Sequence, residues 1–140
     1  MKKNKLMSLM LVGMFVVAAA FGTGITSYAS TIDKEYSFNN SSGVGHSVWR
    51  EKDSATKVYV YPTSGPKIYY TVQGAVTTST QANTRSGKFA IPQGRQSSVT
   101  NYVYENHEGY ARLRYEAIRS ENVYTKGKWS PDSSGTYYVY

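Results

Sequence analysis

The sequence predicts an all-β protein: an antiparallel β-sandwich of seven to eight short strands after an N-terminal signal helix. Three observations lead there. Several segments, residues 110–118 most clearly, alternate between two residue sets with a period of two, which puts the sets on opposite faces of a strand. Clusters of Gly, Pro, Asn, Asp and Ser separate these segments at the roughly 8–12-residue spacing of sandwiches and barrels. No segment after residue 30 carries the period of an amphipathic helix.

The chain opens Met1-Lys2-Lys3-Asn4-Lys5 and runs without a charge from Leu6 to Phe21. As a helix that stretch spans about 24 Å, short of the hydrocarbon core of a bilayer, about 30 Å. Gly22, Thr23 and Gly24 end the apolar run, and Ser27-Tyr28-Ala29 supplies the small residues of a cleavage site. Together these predict a signal peptide over residues 1–29, cleaved after Ala29, and a secreted, extracellular protein. An uncleaved membrane anchor is the alternative, since the next charge is Asp33. No cysteine stands near the site, so no lipid anchor is expected, and residues 136–140 lack the apolar tail of a wall-sorting signal. The lysine-rich opening suits a Gram-positive exporter.

Residues 30–55 read as a loop-rich N-terminal segment and residues 56–140 as the sandwich domain. In the first, Tyr36-Ser37-Phe38 and His46-Ser47-Val48-Trp49 are short strands around the Asn39-Asn40-Ser41-Ser42-Gly43 loop. Arg50-Glu51-Lys52-Asp53 alternates in sign and predicts a solvated turn. Residues 57–61 alternate valine with tyrosine, and Thr63-Ser64-Gly65-Pro66 turns the chain. Residues 67–76 then put Ile68, Tyr70, Val72 and Val76 on one face, so the pair reads as a hairpin. Residues 77–86 are polar, an edge strand or a long loop. Residues 88–91 form a short strand stopped by Pro92. Residues 97–105 form another, with Val99 and Val103 opposite Tyr102 and Tyr104. After the turn Asn106-His107-Glu108-Gly109, residues 110–118 set Ala111, Leu113, Tyr115 and Ala117 against Tyr110, Arg112, Arg114 and Glu116. Residues 123–129 set Val123, Thr125, Gly127 and Trp129 against Tyr124, Lys126 and Lys128. Residues 130–135 are a loop, and Tyr137-Tyr138-Val139-Tyr140 is a closing strand.

Residues 30–140 are one domain by length. The chain has no cysteine, which excludes disulfides, a thiol nucleophile and cysteine-based metal centres. Loss of Lys2, Lys3 and Lys5 with the signal takes the formal charge from +7 to +4. That balance favours anionic polymers or membrane headgroups, or simply solubility. Without a Lys/Arg run or a recognised motif, no nucleic-acid partner is expected. Thirteen of the fourteen tyrosines follow residue 29. Tyrosine suits half-buried strands, ring packed and hydroxyl wet, and it also suits a sugar- or wall-contacting surface.

Residues fit for chemistry are sparse. Glu105-Asn106-His107-Glu108 gathers two carboxylates and an imidazole, but a metal needs three or four convergent ligands, and side chains in a strand-to-turn segment diverge. His46 is the only other histidine. There is no Gly-x-Ser-x-Gly elbow. The nine acids sit mostly in turns or beside basic residues, unlike the paired carboxylates of a glycosidase. Gly43-Val44-Gly45 is too short for a phosphate loop. Pro131-Asp132-Ser133-Ser134-Gly135 offers oxygens to calcium, or forms an Asx-type turn without an ion. The protein is thus expected to be non-catalytic, with no catalytic residue, no metal and no cofactor.

The candidate binding residues are cationic and aromatic. Arg112 and Arg114 share a strand face with Tyr110; Lys126 and Lys128 share one with Tyr124. Paired as consecutive antiparallel strands, they make one basic patch, and Trp129 completes the set. Such a patch suits an anionic cell-wall polymer, a membrane surface or another protein. An ordinary solvent face, partly balanced by Glu116 and Glu121, is the alternative.

Tyr124-Thr125-Lys126-Gly127-Lys128-Trp129-Ser130-Pro131-Asp132, with Ala111-Arg112-Leu113-Arg114-Tyr115-Glu116 before it, resembles the close of a family of small exported Gram-positive proteins of unknown function. These carry Gly-x-Trp followed by a Ser/Pro/Asp turn. The detailed likeness lies in residues 111–140, with Lys126 where the family more often has a small residue. The resemblance implies export and a β-sandwich, and no activity. In tyrosine and tryptophan content the chain is also similar to the lactococcin-972-like bacteriocins, small sandwiches with shorter mature chains. Three functions stay open: a secreted module binding a cell-envelope polymer or partner protein, a secreted bacteriocin or toxin, and an extracellular matrix component. The last would pair through exposed edges at residues 77–80 and 137–140.

Overall fold

The computed structural model describes residues 31–39 and 43–140. The predicted signal, its helix and its cleavage site lie outside them, as do Asn40, Ser41 and Ser42. The described residues form eleven strands: β1 (Lys34–Asn39), β2 (Val44–His46), β3 (Arg50–Glu51), β4 (Val58–Ser64), β5 (Ile68–Ala75), β6 (Asn83–Thr84), β7 (Phe89–Ile91), β8 (Ser97–Val99), β9 (Tyr110–Glu116), β10 (Tyr124–Ser130) and β11 (Tyr138–Val139). They make two packed sheets, as the period-two alternation predicts. The first runs β1-β10-β4-β8-β11; the second runs β2-β9-β5-β6, with β3 also on β9 and β7 also on β5. Pairing is antiparallel except between β8 and β11.

The core joins one face of each sheet. Phe38, Val58, Val60, Val99 and Trp129 from the first meet Ile68, Tyr70, Val72, Ile91, Leu113 and Tyr115 from the second. Much of the tyrosine is structural. Tyr36 stacks on Tyr115 at 5.1 Å between ring centres and meets Tyr70 edge-on at 5.9 Å. The Tyr36 and Tyr70 hydroxyls share a 2.7 Å hydrogen bond, so these buried polar groups are satisfied inside an apolar core. Burial pushes the Tyr36 hydroxyl pKa far above the usual phenol range.

Successive strands mostly alternate between sheets. Of sequence-adjacent strands, only β5 and β6 are hydrogen-bonded to each other. The predicted hairpin of residues 57–76 is therefore an arch: β4 belongs to the first sheet and β5 to the second. Its turn needs Gly65, at φ +98°, because a Cβ there would strike the Tyr124 carbonyl and Thr125. The Thr125 hydroxyl donates to the Pro66 carbonyl at 3.1 Å, tying the arch to β10.

Other expectations change with tertiary context. The predicted loop-rich segment 30–55 supplies β1, β2 and β3 to both sheets. Arg50-Glu51-Lys52-Asp53 is no solvated turn: it contains β3, and Lys52 is 3% exposed. Val76 lies past the end of β5 and is exposed. The predicted strand 97–105 stops at Val99. There the Asn101 amide donates to the Val99 carbonyl at 3.2 Å, and its oxygen accepts the Val103 N–H at 3.4 Å. Such local side-chain bonds compete with a ladder, and a 3-10 turn follows at Tyr104–Asn106. Residues 77–80 close a turn through the Thr80 N–H and the Thr77 carbonyl, whereas β11 is an edge strand as expected.

Candidate binding face

β9 positions the first half of the candidate set. Its burial alternates along its length, with Ala111, Leu113 and Tyr115 inward. Tyr110, Arg112, Arg114 and Glu116 therefore stand on the outer face. β5 is in register beside it, pairing Gln73 with Arg112, Thr71 with Arg114 and Tyr69 with Glu116. On the other side β2 pairs His46 with Arg114. Between β2 and β3 the backbone N–H of Ser47 bonds Leu113 O, and its hydroxyl accepts the Leu113 N–H, both at 2.9 Å. This interruption keeps the segment on β9 while Trp49 lies over Arg112.

The outer face is a cation and aromatic ladder. The Arg112 guanidinium sits 4.5 Å from the Trp49 ring centre, and its Nε donates to Gln73 Oε1 at 2.9 Å. Arg114 and Lys88 both reach Glu116 Oε2, at 2.7 and 3.0 Å. Lys88 also lies 5.3 Å from the Tyr69 ring centre. Glu116 is thus shared by two cations, while Arg112 is held by a neutral amide. Glu51 stands at the far end, in register with Tyr110. Burial, then the positive charge of Arg112 and Arg114, holds the His46 imidazole below its ordinary pKa. The Arg114 hydrogen bond, then that of Lys88, holds Glu116 below the usual carboxyl range. Planar guanidinium forks against aromatic faces suit phosphate or carboxylate groups.

The second half of the set lies elsewhere. β10 belongs to the first sheet, so Tyr124, Lys126 and Lys128 stand on the opposite outside surface of the sandwich. The single four-cation patch does not form, because residues 117–123 carry the chain across the core rather than around a hairpin. On this surface Lys128 is in register with Glu35 and Tyr61, and Lys126 with Ser37 and Ser64. Trp129 is not a surface residue: it is 1% exposed, and Arg50 donates to its carbonyl at 2.9 Å. The Gly127-Lys128-Trp129 motif is accordingly structural. A Cβ on Gly127 would collide with the Tyr61 carbonyl and press on Tyr36 Oη, where the β10–β4 register shifts.

His46, Trp49, Tyr69, Gln73 and Lys88 join the face although pattern alone does not assign them to it. The only sequence signal is their place in or beside strand-like segments; which strands become neighbours is a tertiary fact. Among the described residues no three His, Asp or Glu side chains cluster as a metal site would require. In Glu105-Asn106-His107-Glu108, Glu108 turns away into the protein and accepts Arg85 Nε and Nη2, both at 2.8 Å, and Asn83 Nδ2 at 2.7 Å.

Residues 25–133 match the family described as Protein of unknown function (DUF2712). The chain belongs to that family. No curated protein and no solved structure matches it. The family match spans β1 to β10, and so takes in both basic surfaces and the Gly127-Lys128-Trp129 segment, of which Gly127 and Trp129 are buried.

Proposed function

We propose that this family member is exported and acts without catalysis, binding an anionic polymer of the cell envelope on the outer face of β9 and β5. The observation that carries this reading is Arg112, clamped between Trp49 and Gln73 with Arg114 two residues along the strand. A pre-positioned fork loses less freedom on binding than a loose lysine does. The signal-like pattern of residues 1–29 supports export, and its lysine-rich start supports a Gram-positive producer. Teichoic-acid phosphate is then the polymer of matching charge.

The test is co-sedimentation of the purified protein with isolated Gram-positive cell walls at low and high salt. Binding is expected at low salt and weakened at high salt, because exposed charge pairs are screened. Arg112→Gln/Arg114→Gln should release the protein, and Lys126→Ala/Lys128→Ala, on the opposite surface, should leave it bound. Binding lost only in the lysine variant would move the site to the other sheet. No binding by the unaltered protein would sink the proposal.

A further inference from the structure

The open edge of the sandwich holds a second feature, remote in chemistry from the basic face. A cleft of about 520 Å³ lies where β6 and β7 of one sheet approach β8 and β11 of the other, within the size range of ligand sites. Its floor is aromatic. Phe89 and Tyr140 line it with ring centres 5.4 Å apart, and Tyr138 extends the row past the lining, 4.9 Å from Tyr140. β11 pairs Tyr138 with the buried Ser97, so these rings come from the inner layer, uncovered where the second sheet ends. Arg95 fixes them: it lies 4.6 Å from the Tyr138 ring centre and donates to Tyr140 Oη at 3.0 Å.

The walls are polar, and largely neutral. The Arg85 charge is cancelled by its two-bond pairing with Glu108, which leaves the remaining guanidinium hydrogens as oriented donors. The Asn106 amide donates to the Tyr102 carbonyl at 2.7 Å, leaving its oxygen to accept. Tyr102, 58% exposed, stands at the rim. An aromatic floor with fixed donors and acceptors matches a molecule with C–H faces and hydroxyl edges. Apart from Arg95, held against the Tyr138 ring, the one charged lining residue is Arg85, already paired with Glu108, and an apolar peptide would leave the wall groups unpaired.

We infer that this cleft is a binding site for an uncharged glycan chain. The site is independent of the anionic-polymer face, and each can fail without the other. The experiment is calorimetric titration of the purified protein with a tetramer of N-acetylglucosamine and a tetramer of glucose, at low and high salt. At least one is expected to bind with an affinity indifferent to salt. Tyr138→Ala and Tyr102→Ala remove exposed rings, so the fold should survive, as circular dichroism will verify. Each should weaken binding roughly five- to tenfold, and Arg112→Gln/Arg114→Gln should leave it unchanged. The inference is overturned if neither oligomer binds, if both tyrosine variants bind as before, or if salt abolishes binding. Concentration-dependent self-association dispersed by Tyr138→Ala would also overturn it, by giving the cleft to a second copy of the chain.

Discussion

The Lys52 ammonium donates to Asp132 Oδ1 at 2.6 Å and to the carbonyls of Thr56 and Pro131 at 2.6 and 2.9 Å. The Asp132 carboxylate in turn accepts the Asp53 N–H and the hydroxyls of Ser54 and Thr56. Two oxygens of the 131–135 loop, which by sequence alone suits either a calcium ion or an Asx turn, thus bind an internal ammonium. Burial pushes the Asp132 carboxyl up, but Lys52, the Asp53 amide and Ser54 together hold it below its ordinary value. Lys52→Met strands a buried carboxylate and should cost about 3–5 kcal/mol in urea unfolding, whereas Lys52→Met/Asp132→Leu should recover most of that. A double variant no more stable than the single one would refute this account. Glu108 is likewise held low, chiefly by its Arg85 hydrogen bond. A carboxyl lowered in the folded state adds stability that is complete above its ordinary value, here 4.5 for Glu108 and 3.8 for Asp132. That stability is lost as the pH falls through the lowered values. The urea midpoint should therefore drop steeply only below about pH 4. None of this was legible locally: Lys52 and Asp132 lie 80 positions apart, and Arg50-Glu51-Lys52-Asp53 has the pattern of a surface turn.

At the scale of elements, inward and outward sets were legible wherever alternation was strong. β9 and β10 bury the sets their sequences separate, because the pleat sends neighbours to opposite faces whatever lies beside the strand. Strand length was less legible, since Asn101 ends β8 by a side-chain bond that alternation does not register. The β9 face also makes a pH-dependent prediction. His46 faces Arg112, Arg114 and, through Arg114, Glu116, and stays neutral to a pH below its ordinary 6.5. A bound polyanion would favour its protonation, and Glu116, held low by Arg114 and Lys88, stays ionised in that range. Wall binding should therefore tighten as the pH falls from 7 towards 5, on the scale of imidazole titration. His46→Asn should flatten that profile; an unchanged profile would remove His46 from the site.

At the scale of the molecule, the alternation of strands between sheets decides both folding and site. Nearly every pairing joins segments distant in the chain, such as β1 with β10 and β2 with β9, so loop closure must precede most of the stabilising contacts. Refolding from urea should take milliseconds to seconds, as for other sandwiches, and microsecond refolding would contradict the topology. The sequence by itself determined the all-β class, the faces of β9 and β10, and the core role of Leu113, Tyr115 and their neighbours, because these follow from local periodicity. Tertiary structure alone decided that Arg112 and Lys128 lie on opposite surfaces, that Trp129 is buried, and that Tyr140 and Phe89 meet at an open edge. Each of these depends on which strands become neighbours. With two alternating sheets that choice is set by the closure of one shared core, not by proximity along the chain.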